Sequence, residues 1–205
     1  MFHIHDDEGA GMRRPASPPD PAMLSGLLDR RSVKRLRAPV PSDTELDAIL
    51  DAAVRAPDHG QLRPWRFVVI RDAARQTLAD LCAESARMGE PDITHDKLER
   101  TRAKILRAPM LIALGAHLTQ GHKVPEFEQL MSVAAAGMNI LNAAHALGYG
   151  AFWVTGAPSQ DPRVAHALGF DAPDRLLGFI HLGTPVDVSE PVQRPPGRQF
   201  AREWP

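Results

Sequence analysis

Cysteine is almost absent: Cys82 is the single thiol in 205 residues. No intrachain disulfide is available, and no Cys/His spacing matches a zinc site. A reducing, cytoplasmic compartment suits such a chain. Net charge is nearly absent too, at −1 from 24 Lys+Arg against 25 Asp+Glu, with a pI near 6.8. That balance argues against global attraction to nucleic acid or to an anionic membrane. No apolar run is long enough to cross a bilayer, and the first residues lack the apolar h-region of a signal peptide. The GxGxxG fingerprint, the P-loop and the G-x-S-x-G elbow are missing as well. Hydrolase and protease readings therefore have nothing to stand on.

What remains is an ordinary globular composition, 43% apolar and 24% charged. It suffices for one domain with a substantial core, or two small ones sharing a core. Residues 1–19 are polar, rich in Gly and Pro and without period, and read as a disordered leader. His3, His5, Asp6 and Asp7 are taken there as part of a tail rather than a metal site. The folded part is expected over residues 20–205 as a single domain with a C-terminal arm.

Asp20-Pro21 predicts a helix start, with Asp as N-cap, and Leu24, Leu27 and Leu28 make its apolar stripe. Ser42-Asp43-Thr44-Glu45 is a capping box. The helix behind it is expected to bury Leu46, Ile49, Leu50, Ala53 and Val54. PDHGQLRPW, 57–65, reads as a loop and 66–70 as a short strand. Helical patterns follow at about 72–88 and 96–107, then a buried strand at 110–116. The long pattern 126–148 is apolar nearly all round and closed by Gly148, so burial on most sides is expected. Its small residues permit close helix approach, in the core and against a partner chain. Strands are expected at 150–156 and 176–183, with a short helix opened by Asp161-Pro162 between them. Phe200 and Trp204 lie in a Pro-rich tail with no local core. Helices and strands in this order predict an α+β or α/β fold around one sheet.

Three stretches carry polar groups in suggestive patterns. LLDRRSVKRL, 27–36, packs Arg30, Arg31, Lys34 and Arg35 around Ser32. Guanidinium forks and a hydroxyl suit a phosphate, although a basic run alone is usually a solvated turn. In PDHGQLRPW, His59, Gln61 and Arg63 sit in a loop that precedes a strand, a common place for binding groups. GYGAFWVTGA, 148–157, is a strand bounded by glycines that can offer main-chain N–H groups to a flat ligand. Its plainer reading is a core strand with turn glycines.

RRSVKRL, RAPDHGQLRPWRFVVI, HKVPEFEQLMS, GYGAFWVTGA and LGFIHLGTP followed by RPP occur in one order, and together the chain resembles the FMN-dependent nitroreductase family. The resemblance runs from about Met23 to the C-terminus. It implies an α+β fold with a mixed, mainly antiparallel sheet wrapped by helices, and a long central helix at the interface of a homodimer. It implies FMN as cofactor, with Arg30, Arg31 and Ser32 on the phosphate and ribityl chain. Lys34 is implied near the N1/O2 edge of the ring and Arg194 as a second phosphate clamp. Trp153, Val154, Thr155 and Gly156 would line the ring, while His59 and Arg63 would reach the flavin of the partner chain. Relatives often carry an arginine where Val154 stands. The implied activity is ping-pong hydride transfer from NADH or NADPH to the flavin, then to a nitroaromatic, quinone or similar small acceptor. No catalytic side chain is implied, the hydride being carried at flavin N5. No metal, nucleic-acid or membrane partner is implied either. Two further readings stay open: the same fold acting on another metabolite, and a non-enzymatic FMN-binding protein.

Overall fold

The computed structural model describes residues 21–187 and 193–204. The expected leader, its histidines and the Asp20 cap lie outside the described residues. Six helices and five strands follow in order: α1 (Pro21–Asp29), β1 (Leu36–Arg37), α2 (Asp43–Ala53), β2 (Trp65–Arg71), α3 (Ala73–Gly89), α4 (His95–Leu106), β3 (Met110–Ala116), α5 (Glu126–Ala146), β4 (Gly150–Val154), α6 (Pro162–Ala167) and β5 (Arg175–Pro185). The sheet order is β1-β5-β3-β2, with β4 also paired to β5. Every pairing is antiparallel. The sheet expected as mixed and mainly antiparallel is antiparallel in each pairing among the described residues.

The helix ends follow local chemistry. The Ser42 hydroxyl accepts from the Glu45 N–H while the Glu45 carboxylate accepts from the Ser42 N–H at 2.8 Å. That carboxylate also receives the Tyr149 hydroxyl at 3.0 Å, which ties α2 to the start of β4. Asp161 caps α6 through the Arg163 N–H. Gly148 has φ +83, the left-handed turn that ends α5.

Alternation along the strands creates two cores. Ile112, Leu114, Ile180 and Leu182 pack toward α2 and α5. Leu111, Ala113, Leu176 and Phe179 pack with α3, α4 and α6 residues such as Leu78, Ile105 and Val164. The expected burial of α2 holds for Leu46, Ile49 and Ala53, but Val54 is exposed because it caps the helix end. On α5 the inner face is buried, while Phe127, Met131 and Met138 are exposed. Burial on most sides is thus not reached among the described residues, none of which covers that outer stripe. The α1 stripe of Leu24, Leu27 and Leu28 is exposed likewise, as are Phe200 and Trp204.

Candidate functional site

Two glycines shape the sheet around β4. A Cβ at Gly137 of α5 would stand 2.7 Å from Leu114 and 3.2 Å from the Trp153 ring, so the helix approaches the sheet closely there. Gly178 has φ +131, and a Cβ on it would meet the Val154 carbonyl oxygen at 2.4 Å. A side chain is excluded there on both counts. The Trp153 indole N–H donates to the Leu177 carbonyl at 3.1 Å. Trp153 therefore belongs with its side chain to the α5 face, while Phe152 and Val154 turn to the opposite face.

On that opposite face the packing stops short of β4 and leaves a cavity of about 620 Å³. Ile105, Phe152, Val154 and Phe179 are apolar wall residues, and Lys104, Arg107 and His181 bring polar atoms. Of the residues expected from the sequence, Val154 and Gly156 line this cavity. Thr155 is exposed and does not. Lys34 lines an adjoining recess whose wall includes Arg107, so Arg107 joins the two spaces.

The basic segment is drawn beside β4 by a backbone bond from the Val33 N–H to the Ala151 carbonyl, 3.0 Å. Arg30 is half-buried, and its Nε and Nη1 atoms are buried with no hydrogen-bond partner. The Arg31 Nε is in the same condition. Arg194 reaches the segment from the C-terminal arm, donating from Nη2 to the Arg30 carbonyl at 3.2 Å. Burial first, and the charge of Arg194 second, lower the Arg30 pKa. Half-buried cations whose buried N–H groups are unsatisfied, beside another cation, call for an anion. A phosphate fits that donor set, because guanidinium forks bind its oxygens by charge-assisted bonds. Ser32 is exposed in the same segment.

His59 and Arg63 lie elsewhere. The His59 Nδ1 is 2.6 Å from the Glu128 carboxylate on α5. Arg63 has φ +50, and its N–H donates to Asp58 at 2.7 Å. Neither lines the cavity of its own chain. His59 thus sits against α5, the helix that exposes Phe127 and Met131.

The other chemically suggestive side chains in the cavity wall are locked. Asp161 accepts hydrogen bonds from Arg163 and from the Ser85 hydroxyl. Arg163 above all holds its carboxyl far below the usual range. Burial, then the Asp161 charge, push the Cys82 thiol up to about 12. A thiol so placed is a poor nucleophile. Lys104, Arg107 and His181 were missed in the sequence. The signals available were a basic last turn of α4 and a histidine inside the apolar run LGFIHLG.

A family profile for the nitroreductase family matches residues 27–184. The chain is 39% identical over 163 residues to the Escherichia coli K12 protein named "Putative NAD(P)H nitroreductase YdjA", across 79% of this chain and 87% of that protein. In fold it is similar to a nitroreductase-like family protein from Bacillus cereus, with a TM-score of 0.77 at 20% identity over 92% of this chain and 99% of that one. It is also similar to a Desulfovibrio desulfuricans structure described as a "putative nitroreductase in complex with fmn", with a TM-score of 0.70 at 27% identity over 92% and 99%. With fold, basic cradle and cavity in agreement, the chain belongs to the nitroreductase family and is an oxidoreductase of that kind.

Proposed function

We propose that the protein is an FMN-dependent oxidoreductase that passes a hydride from NADH or NADPH to a nitroaromatic, quinone or similar small acceptor. The observation that carries this reading is the set of unpaired guanidinium nitrogens on Arg30 and Arg31 beside Arg194. Those residues would hold the cofactor phosphate. Ser32 would add a hydroxyl to the same anion, and Lys34 would stand as a cation at the ring edge. The backbone of Trp153, Val154, Thr155 and Gly156 would border the ring, with the apolar cavity walls excluding water. When bound, FMN supplies the hydride chemistry, and the protein positions it and sets its potential. One open cavity would serve donor and acceptor in turn, which is ping-pong turnover and needs no separate dinucleotide-binding unit.

The same reading makes the molecule a homodimer, acting in the cytoplasm. Phe127, Met131 and Met138 on α5, Leu24 and Leu28 on α1, and Phe200 and Trp204 in the arm expose apolar surface that a second copy would cover. His59 contacts α5 beside that surface, and His59 and Arg63 would reach the partner's cofactor. Residues 20–205 would then act as one domain.

The test is a visible spectrum of the purified protein, before and after anaerobic NADH or NADPH. A yellow protein that bleaches supports the reading; a colourless protein that takes up no FMN ends it. Arg30→Ala should weaken FMN retention, and unchanged occupancy would remove Arg30 from the cradle. Truncation after Pro191 should lower both dimer stability and FMN retention, because Arg194 and the aromatic tail are lost.

A further inference from the structure

One polar group in the cavity has no task in the reading above. His181 stands on β5 between Ile180 and Leu182, both fully buried on the opposite face. It is 2% exposed, lines the cavity, and faces the Phe152 ring with centroids 4.6 Å apart and planes tilted by 30°. Its Nδ1 is buried without a hydrogen-bond partner. An imidazole so placed is costly, and a leucine would fill the position without the penalty. Burial first, then the charge of Arg107, bring its pKa down to about 4. At neutral pH it therefore offers one donor, one acceptor and no charge. Its immediate neighbours Phe152 and Phe179 are apolar, so the imidazole is a polar group set among aromatic wall residues. Arg107, at the junction with the Lys34 recess, is a cation beside it.

We propose that His181 is a ring-contacting residue of this cavity, hydrogen-bonded through its unpaired imidazole nitrogen to the flat heteroaromatic ligand bound there. The proposal rests on the flavin reading and adds a contact to the ring that is independent of the phosphate cradle. A neutral hydrogen bond at the ring also biases the potential, because the two redox states differ in their donors and acceptors.

The test uses the full-length protein freed of flavin, with FMN and riboflavin as probes. Riboflavin carries the ring without the phosphate. His181→Phe keeps the ring contact with Phe152 and deletes both nitrogens. His181→Gln retains a neutral donor and acceptor. In His181→Phe, the Kd for riboflavin and for FMN should both rise by about tenfold, the scale of one buried hydrogen bond. The midpoint potential of the bound flavin should shift as well, and His181→Gln should recover most of both effects. The ratio of the FMN and riboflavin affinities should stay as in the unsubstituted protein, since the arginines are untouched. If that protein binds FMN while both variants match its two affinities and its potential, the His181 contact is overturned and the flavin reading stands. If the unsubstituted protein binds neither probe, the flavin reading falls and this contact with it.

Discussion

The two faces of the sheet are made from alternate residues of the same strands, yet one is filled and the other opens into a cavity. Toward α2 and α5, Ile112, Leu114, Ile180 and Leu182 reach zero exposure. Toward α3 and α4, Phe179 and His181 are almost as buried, but they border about 620 Å³ of open space. Hydrophobicity does not separate the faces, since both are largely apolar. Helix placement does. The long helix α5 packs directly on β4 and is admitted by Gly137, whereas α3 and α4 pack mainly on each other. A strand covered on one side only has a ready-made floor for a flat ligand. The polar groups His181, Lys104 and Arg107 all lie on the open side.

If that contrast is right, substitutions on the filled face should cost far more stability than those on the open one. Ile180→Ala removes a fully buried side chain and should lose about 2–5 kcal/mol in urea unfolding. A loss below about 1 kcal/mol would mean that the face collapses readily and is not tightly packed. The open face should instead show its character in acid. His181 has a depressed pKa in the folded chain, so the unfolded chain binds the extra proton. Stability is then complete above about pH 6.5 and falls by roughly 3 kcal/mol as pH drops toward 4. Asp161, whose carboxyl is also depressed, loses its contribution only below about pH 4. A pH series of urea melts should show the upper step in the unsubstituted protein and not in His181→Phe. Gly137→Ala crowds Leu114 and Trp153 and should cost about 1–3 kcal/mol, read as a lower thermal midpoint. Val154→Ala, at the cavity wall, should cost less than about 1 kcal/mol. A larger loss would show that this face is packed after all.

Helix ends and strand interiors were legible because they depend on near neighbours in sequence. The Ser42–Glu45 box, the Asp161 cap, the Gly148 stop and the strands 66–70 and 110–116 all appear in the structure. The two-residue strand Leu36–Arg37 was not legible, since its pairing with Thr184 and Pro185 spans almost the whole chain. The basic segment was legible as a cluster, and its resemblance suggested a phosphate. That Arg30 and Arg31 carry buried, unpaired nitrogens was not, because burial there depends on β4 and the C-terminal arm.

Local order along the chain, the alternation that gives each strand two faces, and the basic cluster beside Ser32 were therefore settled by the sequence itself. These rest on backbone propensity, capping bonds and side-chain periodicity, which act over a few residues. Only the tertiary structure decided which face stayed open, that Trp153 turned away from the cavity, and that His181, Lys104 and Arg107 came to its wall. Those outcomes depend on where α4, α5 and β5 lie relative to one another, and side chains far apart in sequence meet only once the helices have docked on the sheet.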